Sequence, residues 1–255
     1  MDSGWFRRFA ATGTGSGDGT VPQLICFPHA GGAASAYVPL SRALAADADV
    51  LAVQYPARQD RRKEAPATSL TGLARTIADA LTSSLTPGRP YAFFGHSMGA
   101  ILAYETARLL ARSAAPAPVR LFLSGRGAPT PEPLRSDLLD GDAELLAAIR
   151  RLGGTGQGIL DEPELLEMAL PALRADYRAL GAYRWRPGPL LDVPFTVLVG
   201  ASDPVVPTED ARGWLGHSTR ESRMRVFPGG HFYLDEAVAE VADEVRTSLA
   251  AHAAV

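Results

Sequence analysis

Six short apolar runs, separated by stretches of helical periodicity, are the feature that most constrains the fold of this chain. Each run has four or five residues and little polar alternation, which is typical of strands covered on both faces of a parallel sheet. The runs are Leu24–Phe27, Val50–Val53, Tyr91–Phe94, Val119–Leu123, Phe195–Val199 and Met224–Phe227. Helical patterns occupy Ser35–Ala45, Ser69–Leu85, Met98–Ser113, Thr208–Leu215 and Val238–Ala250. This alternation predicts an α/β fold with a mostly parallel central sheet and helices on both faces.

The alternation stops at about residue 130 and resumes at about residue 188. Two helix-like stretches, Asp142–Leu152 and Glu162–Tyr183, lie there and are joined by the glycine-rich segment GGTGQG. Their apolar residues are too few for a separate core. We therefore predict a single domain over residues 1–255 that carries a helical lid insertion at about 130–188. The glycine-rich segment Thr12–Thr20 is predicted to be a mobile loop.

The composition argues against several classes of protein. The net charge of -3 gives no overall positive field for nucleic acid or an anionic membrane. Cys26 is the only cysteine, which excludes an intrachain disulfide and a cysteine-built zinc site. No apolar run approaches the roughly 18 residues of a membrane span, and the N-terminus lacks the apolar core of a secretory signal. We expect a cytoplasmic protein, and no motif implies a metal or an organic cofactor.

The segment YAFFGHSMGA, residues 91–100, predicts a nucleophilic serine. An apolar strand runs into the pentapeptide GHSMG and a helical pattern follows, which is the strand–turn–helix setting of the G-x-S-x-G motif. The turn is so tight that side chains at Gly95 and Gly99 would strike neighbouring backbone. Ser97 Oγ is predicted to project at the N-terminus of a helix, where the dipole favours a developing negative charge.

A serine hydroxyl needs a base to take its proton, and the partners are expected in the order serine, acid, histidine. Asp203 follows the apolar run that ends at Val199, and His231 follows the next run. Sites in open parallel sheets collect at these strand ends. We predict that His231 is the general base and then the general acid, and that Asp203 fixes its tautomer. The alternative acids, Asp210 and Asp235, fall within or at the start of predicted helices.

Four other histidines could compete for the role of base. His96 precedes the serine, and its side chain is expected to point away from it. His29 is expected to shape its own loop. His217 follows a predicted helix and His252 lies near the C-terminus, so both are expected to be solvated surface residues.

An oxyanion hole requires one backbone N–H directly after the nucleophile and one from the loop after an early strand. Met98 supplies the first. The run Leu24–Phe27 leads into the loop PHAGG, in which Ala30 is predicted to supply the second. Losing one such donor typically costs about 2.7–4 kcal/mol of transition-state stabilisation.

These residues lie in blocks that resemble one family in order and spacing. The blocks are CFPHAGG (26–32), QYPARQDRR (54–62), FFGHSMGA (93–100), LSGRGAP (123–129), GASDPVVP (200–207) and FPGGHFYL (227–234). Through nearly its whole length the chain resembles an α/β-hydrolase of the type II thioesterase group, the free-standing editing enzymes of polyketide and nonribosomal peptide synthesis. The predicted triad and oxyanion residues fall on the family positions. Ala57 departs from the glycine that commonly follows YP, and the lid region matches least.

The resemblance implies hydrolysis of acyl thioesters from the phosphopantetheine arm of acyl or peptidyl carrier proteins. The lid helices would then wall an acyl pocket. Carrier proteins present acidic helices, so basic residues are candidates for a docking rim: Arg58, Arg61, Arg62, Lys63 and Arg126. A small-molecule carboxylesterase or an acyl-CoA thioesterase with the same triad is the alternative enzyme. A binding module that retains the fold without catalysis is the alternative outside enzymes.

Overall fold

The computed structural model describes residues 4–9, 21–139, 141–153 and 162–253. The predicted mobile loop Thr12–Thr20, and all of GGTGQG except Gly153, lie outside these residues. Seven strands in the described part of the chain form one sheet: β1 Phe6–Arg7, β2 Gln23–Phe27, β3 Asp49–Val53, β4 Tyr91–His96, β5 Leu121–Ser124, β6 Phe195–Gly200 and β7 Arg223–Phe227.

The strand order is β1-β3-β2-β4-β5-β6-β7. The strands β2 to β7 pair in parallel and correspond to the six predicted runs, so the mostly parallel sheet is confirmed. β1 pairs antiparallel with β3 and was not predicted, because a strand of two residues has no recognisable periodicity.

The helices are α1 Val38–Ala43, α2 Leu70–Ser84, α3 Met98–Leu110, α4 Gly141–Leu152, α5 Pro163–Ala182, α6 Thr208–Arg212 and α7 Val238–Ala253. Two predicted helices are partly 3-10 helix, since the turns Ala34–Tyr37 and Gly213–His217 flank α1 and α6. Ser69 caps α2 by accepting a hydrogen bond from the Gly72 N–H at 3.3 Å. None of the described helices combines the length and apolarity needed to cross a bilayer.

Helices cover both faces of the sheet, as predicted. On one face, Leu73 and Ile77 of α2 pack with α3 over Phe93. On the other face, Leu40 of α1 and Val241 of α7 pack over alternate side chains of the same strands. Because strand side chains alternate between faces, each central strand contributes to both cores and has no polar face.

The predicted insertion contains α4 and α5, each within one residue of its predicted start. These helices share a small cluster of their own, formed by Leu145, Ile149 and Leu173. The insertion is also fastened to the sheet loops by two buried ion pairs, Arg58–Asp176 and Arg126–Asp137.

The chain passes to opposite sides of β2 when it leaves for β3 and returns for β4. Ligands in open parallel sheets bind at such a switch point, beyond the carboxyl ends of the strands. The register places Phe27 beside Gly95, so the loop after β2 and the turn after β4 emerge side by side. Gly200 lies beside Phe227 at the carboxyl ends of β6 and β7, so the loops that follow these two strands also emerge side by side.

Candidate active site

The turn between β4 and α3 requires glycine at both predicted positions. A Cβ at Gly95 would lie 2.2 Å from the Gly99 carbonyl oxygen, and a Cβ at Gly99 would lie 1.9 Å from the Phe27 carbonyl oxygen. Ser97 itself adopts φ 55° and ψ -118°, a strained conformation for a residue with a side chain. The surrounding backbone enforces this strain, since the Ser97 N–H donates to the Ser124 carbonyl at 2.8 Å. Ser97 is therefore held at the start of α3.

Asp203 and His231 meet across the loops that follow β6 and β7. The His231 Nδ1 and Asp203 Oδ2 atoms lie 2.7 Å apart, and both side chains are almost fully buried. Asp203 Oδ1 accepts the N–H groups of Val205 and Val206 at 3.0 and 3.1 Å. The carboxylate is thus fully engaged, and it presents one oxygen to the imidazole.

Ser97 and His231 line the same pocket, together with Ala30. His231 Nε2 is buried and has no hydrogen bond partner among the described residues. Because Nδ1 is engaged by Asp203, Nε2 is the nitrogen left to exchange a proton with a group in this pocket. The alternative acids do not take this position, since the histidine's hydrogen bond goes to Asp203.

The loop after β2 is anchored around Ala30. Tyr55 donates to the Pro28 carbonyl at 3.1 Å, and the Gly32 N–H donates to the His29 carbonyl at 3.0 Å. No hydrogen bond of the Ala30 N–H is present among the described residues. Met98 is the first residue of α3, so its N–H has no acceptor within the helix. Both predicted oxyanion donors thus lie beside Ser97 in the fold.

The insertion walls the pocket on the side opposite the sheet. Leu134 and Ala148 line it, together with Tyr177 and Leu180 of α5. The polar residues Ser136, Asp137 and Arg151 also line it, so the insertion contributes both apolar and polar side chains to the pocket beside Ser97.

Two further histidines pack around the site and are held neutral. Burial lowers the pKa of His29 to about 4, with added repulsion from His231 and Arg58. Burial also lowers the pKa of His96 well below its ordinary value, with repulsion from His231 and His29. His96 Nδ1 lies 2.9 Å from Ser124 Oγ, so this ring makes its hydrogen bond within the sheet and not to Ser97. The His29 ring packs edge-on against Phe232, in keeping with a role in shaping its loop.

The prediction that His217 is a solvated surface residue is wrong. Its ring packs against Trp214 and Trp185, and its Nδ1 lies 3.1 Å from the Tyr104 hydroxyl. The side chain is therefore partly buried, which its position after a helix could not reveal. The side chain of His252 lies outside the described residues.

Two of the five residues predicted for a docking rim are buried instead. Arg58 pairs with Asp176 and Arg126 pairs with Asp137, with all four side chains at most 8% exposed. Both arginines therefore hold the insertion in place and are not available to a partner. Sequence reasoning missed the two aspartates, because nothing in their own segments indicates partners elsewhere in the chain.

Among the described residues no group of three or more histidine, cysteine, aspartate or glutamate side chains is arranged to hold a metal ion.

Comparison with known proteins identifies the family. The thioesterase domain model matches residues 22–249. The probable cadicidin biosynthesis thioesterase of Streptomyces griseus is 43% identical over 96% of this chain, which spans 66% of that protein's length. Thioesterase PikA5 of Streptomyces venezuelae is 40% identical over 98% of this chain and 87% of its own length.

The structure of the type II thioesterase BorB from the borrelidin biosynthetic cluster superposes with a TM-score of 0.84 and 42% identity. The match covers 96% of this chain and 97% of that one. The chain therefore belongs to the thioesterase domain family and is a thioester-hydrolysing enzyme of the type II group.

Proposed function

We propose that this thioesterase hydrolyses acyl thioesters on the phosphopantetheine arm of acyl or peptidyl carrier proteins, and so removes aberrant acyl groups from polyketide or nonribosomal peptide synthases. The observation that carries the chemistry is the buried Asp203–His231 pair beside the pocket lined by Ser97. Relatives named for biosynthetic pathways support the carrier-bound substrate. We also propose a single domain over residues 1–255, with a lid insertion at about 130–188, and a cytoplasmic location.

The reaction uses Ser97 as nucleophile. His231 Nε2 accepts the Ser97 Oγ proton as Oγ attacks the thioester carbonyl, and the Ala30 and Met98 N–H groups stabilise the resulting oxyanion. The C–S bond then breaks and the imidazolium protonates the leaving thiolate. Asp203 stabilises that imidazolium and holds the tautomer in which Nε2 is the acceptor.

The second half-reaction releases the acyl group as a carboxylic acid. His231 takes a proton from water, the hydroxide oxygen bonds to the acyl carbon, and the tetrahedral intermediate collapses. The imidazolium returns its proton to Ser97 Oγ as the bond between the acyl carbon and Oγ breaks. No metal or organic cofactor takes part in these steps.

The carrier would dock at a basic rim near the loop after β3. Arg62 and Lys63 are exposed there and remain candidates. Arg61 is partly buried over the Trp5 ring and pairs with Glu64, so it contributes less free charge. Arg58 and Arg126 no longer belong to this set.

The test compares kcat/KM for one acyl group presented as an acyl-carrier thioester, as acyl-CoA and as a simple oxygen ester. We expect the carrier thioester to be the best substrate, and Ser97→Ala to abolish its turnover. Labelling by a fluorophosphonate should occur at Ser97 and be absent from Ser97→Ala. A clear preference for the oxygen ester would reject the thioester role and favour a carboxylesterase. Equal rates with acyl-CoA and the carrier would reject the carrier as partner.

A further inference from the structure

One face of α5 packs directly against the loop after β2, which contains Ala30. Leu173 and Asp176 are three residues apart, so they lie on the same side of the helix. Gly31 has φ +74°, and a Cβ added there would lie 2.2 Å from Leu173 Cδ2. The Leu173 side chain thus occupies the space that a side chain at Gly31 would need.

Asp176 makes a hydrogen bond to the same glycine. The Gly31 N–H donates to Asp176 Oδ2 at 2.7 Å, and Arg58 pairs with the same carboxylate oxygen. Arg58 also donates through Nε to the Gly32 carbonyl at 3.4 Å. The carboxylate is 3% exposed, so this contact is shielded from competing water. Asp176 and Gly31 are 145 residues apart in sequence.

This contact orients the neighbouring oxyanion donor. The peptide unit between Ala30 and Gly31 is planar, so an acceptor on the Gly31 N–H restricts the ψ angle of Ala30. The Ala30 N–H lies in the same peptide plane as the His29 carbonyl, which accepts a hydrogen bond from the Gly32 N–H at 3.0 Å, so this bond holds the plane on the other side of Ala30. With the peptide planes on both sides of Ala30 held, the orientation of its N–H is restricted, and Ala30 lines the same pocket as Ser97.

We propose that Asp176 is a positioning residue for the oxyanion hole, which is complete only while α5 lies on the loop after β2. This inference rests on the proposed serine mechanism and extends it, because it makes the insertion part of the catalytic apparatus and not only a wall of the acyl pocket. Lifting α5 from this loop would remove the acceptor of the Gly31 N–H and the restraint on Ala30. Ser97 would then be poorly catalytic while the pocket is open to water.

The test compares two double variants that both remove the ion pair. R58M/D176N retains an amide oxygen that can accept the Gly31 N–H, whereas R58M/D176L offers no acceptor at similar volume. Removing both charges together avoids an unpaired buried charge. The substrate is a short acyl thioester that needs no carrier. With this substrate the test does not depend on the carrier proposal. If the wild-type enzyme showed no preference for carrier-bound substrate, the carrier proposal would fail, but the two double variants could still be compared.

We expect kcat of R58M/D176L to fall about 10²-fold below that of R58M/D176N, because losing an oxyanion donor costs about 10²–10³ in kcat. KM should change little. The inhibition constant of an alkylboronic acid, which forms a tetrahedral adduct at Ser97, should rise by a similar factor. A purely structural role for Asp176 would change KM and thermal stability without this selective loss. Equal kcat in the two variants would overturn the proposal.

The second buried pair provides a matched control for loosening the insertion. R126M/D137L removes Arg126–Asp137, which fastens the insertion to the loop after β5 without contacting the Gly31 N–H. We expect it to raise KM more than it lowers kcat. A kcat loss as large as that of R58M/D176L would show that general loosening, and not the Gly31 contact, is responsible.

Hydrogen exchange in the wild-type enzyme tests the contact without any substitution. If Asp176 holds the loop, the Gly31 amide should exchange with the same opening free energy as the amides of α5. Exchange of Gly31 that is much faster than that of α5 would contradict the proposal even if a variant failed to fold.

Discussion

Asp203 Oδ2 lies 2.7 Å from His231 Nδ1, with the two side chains 0% and 2% exposed. The aspartate's other oxygen is held by two backbone N–H groups of its own loop, so the carboxylate cannot rotate freely toward another partner. Since β6 and β7 are neighbours in the sheet, the orientation of the base is determined by two adjacent strand ends.

Asp203→Asn should lower kcat/KM by on the order of 10⁴, because an amide N–H facing Nδ1 favours the tautomer whose Nε2 is protonated. The amide oxygen can still accept the Val205 and Val206 N–H groups, so thermal stability should change far less than activity. Steady-state kinetics together with thermal unfolding make the comparison. Activity within tenfold of wild type would mean that Asp203 does not set the tautomer of the base.

Gly99→Ala should destabilise the fold by about 1–3 kcal/mol or more, because its Cβ would collide with the rigid carbonyl of Phe27. Gly72→Ala is the matched control, since its Cβ would meet only Ser69 side-chain atoms at 3.6 Å and beyond. Alanine also favours helix over glycine, so the control should be neutral or up to about 1 kcal/mol more stable. Urea unfolding measures both. Equal stability of the two variants would show that the turn tolerates a side chain.

The free energy of unfolding should decrease as the pH falls from about 6.5 toward about 4. In that range His29 of the unfolded chain takes up a proton near its ordinary pKa of 6.5, whereas in the folded protein burial lowers its pKa to about 4. The unfolded state therefore binds more protons, and stability rises with pH across this window. His96, whose pKa burial also lowers, acts in the same direction.

His29→Gln isolates this effect from the titration of carboxylates. Urea unfolding at several pH values should show wild type losing stability relative to the variant as the pH falls through the window. If the difference in unfolding free energy between the two proteins is independent of pH, His29 is not held neutral by burial.

The thiol of Cys26 should not react with maleimide or disulfide reagents in the folded protein. It is fully buried in β2, and burial raises its pKa well above the ordinary value, so thiolate is scarce. A colorimetric thiol assay should detect no reactive group in native buffer and one per chain in urea. Loss of hydrolytic activity on maleimide treatment of native enzyme would refute this burial and implicate the cysteine in the site.

Local patterns were sufficient to predict the core elements and to single out residues that the fold brings to one pocket. The apolar runs became β2 to β6 because strands covered on both faces are largely apolar, which is visible in four or five consecutive residues. β7 is the exception, since this edge strand exposes Arg223, Arg225 and Val226. Ser97 could be placed because its turn excludes side chains at Gly95 and Gly99, a steric demand written into the spacing of the pentapeptide. Asp203 and His231 could be placed because the carboxyl ends of parallel strands share one edge.

Tertiary structure alone decided which polar residues became buried partners. Arg58 is a basic residue in a basic loop segment, as a docking residue would be, yet it pairs with Asp176. That aspartate lies 118 residues away and also accepts a hydrogen bond from the Gly31 N–H. His217 has the position of a surface residue, yet three aromatic rings contact it and leave it partly buried. The physical reason is that hydrophobic periodicity and glycine spacing reflect constraints between residues that are close in sequence. The pairing of charges and rings depends instead on which distant segments the packed sheet brings into contact.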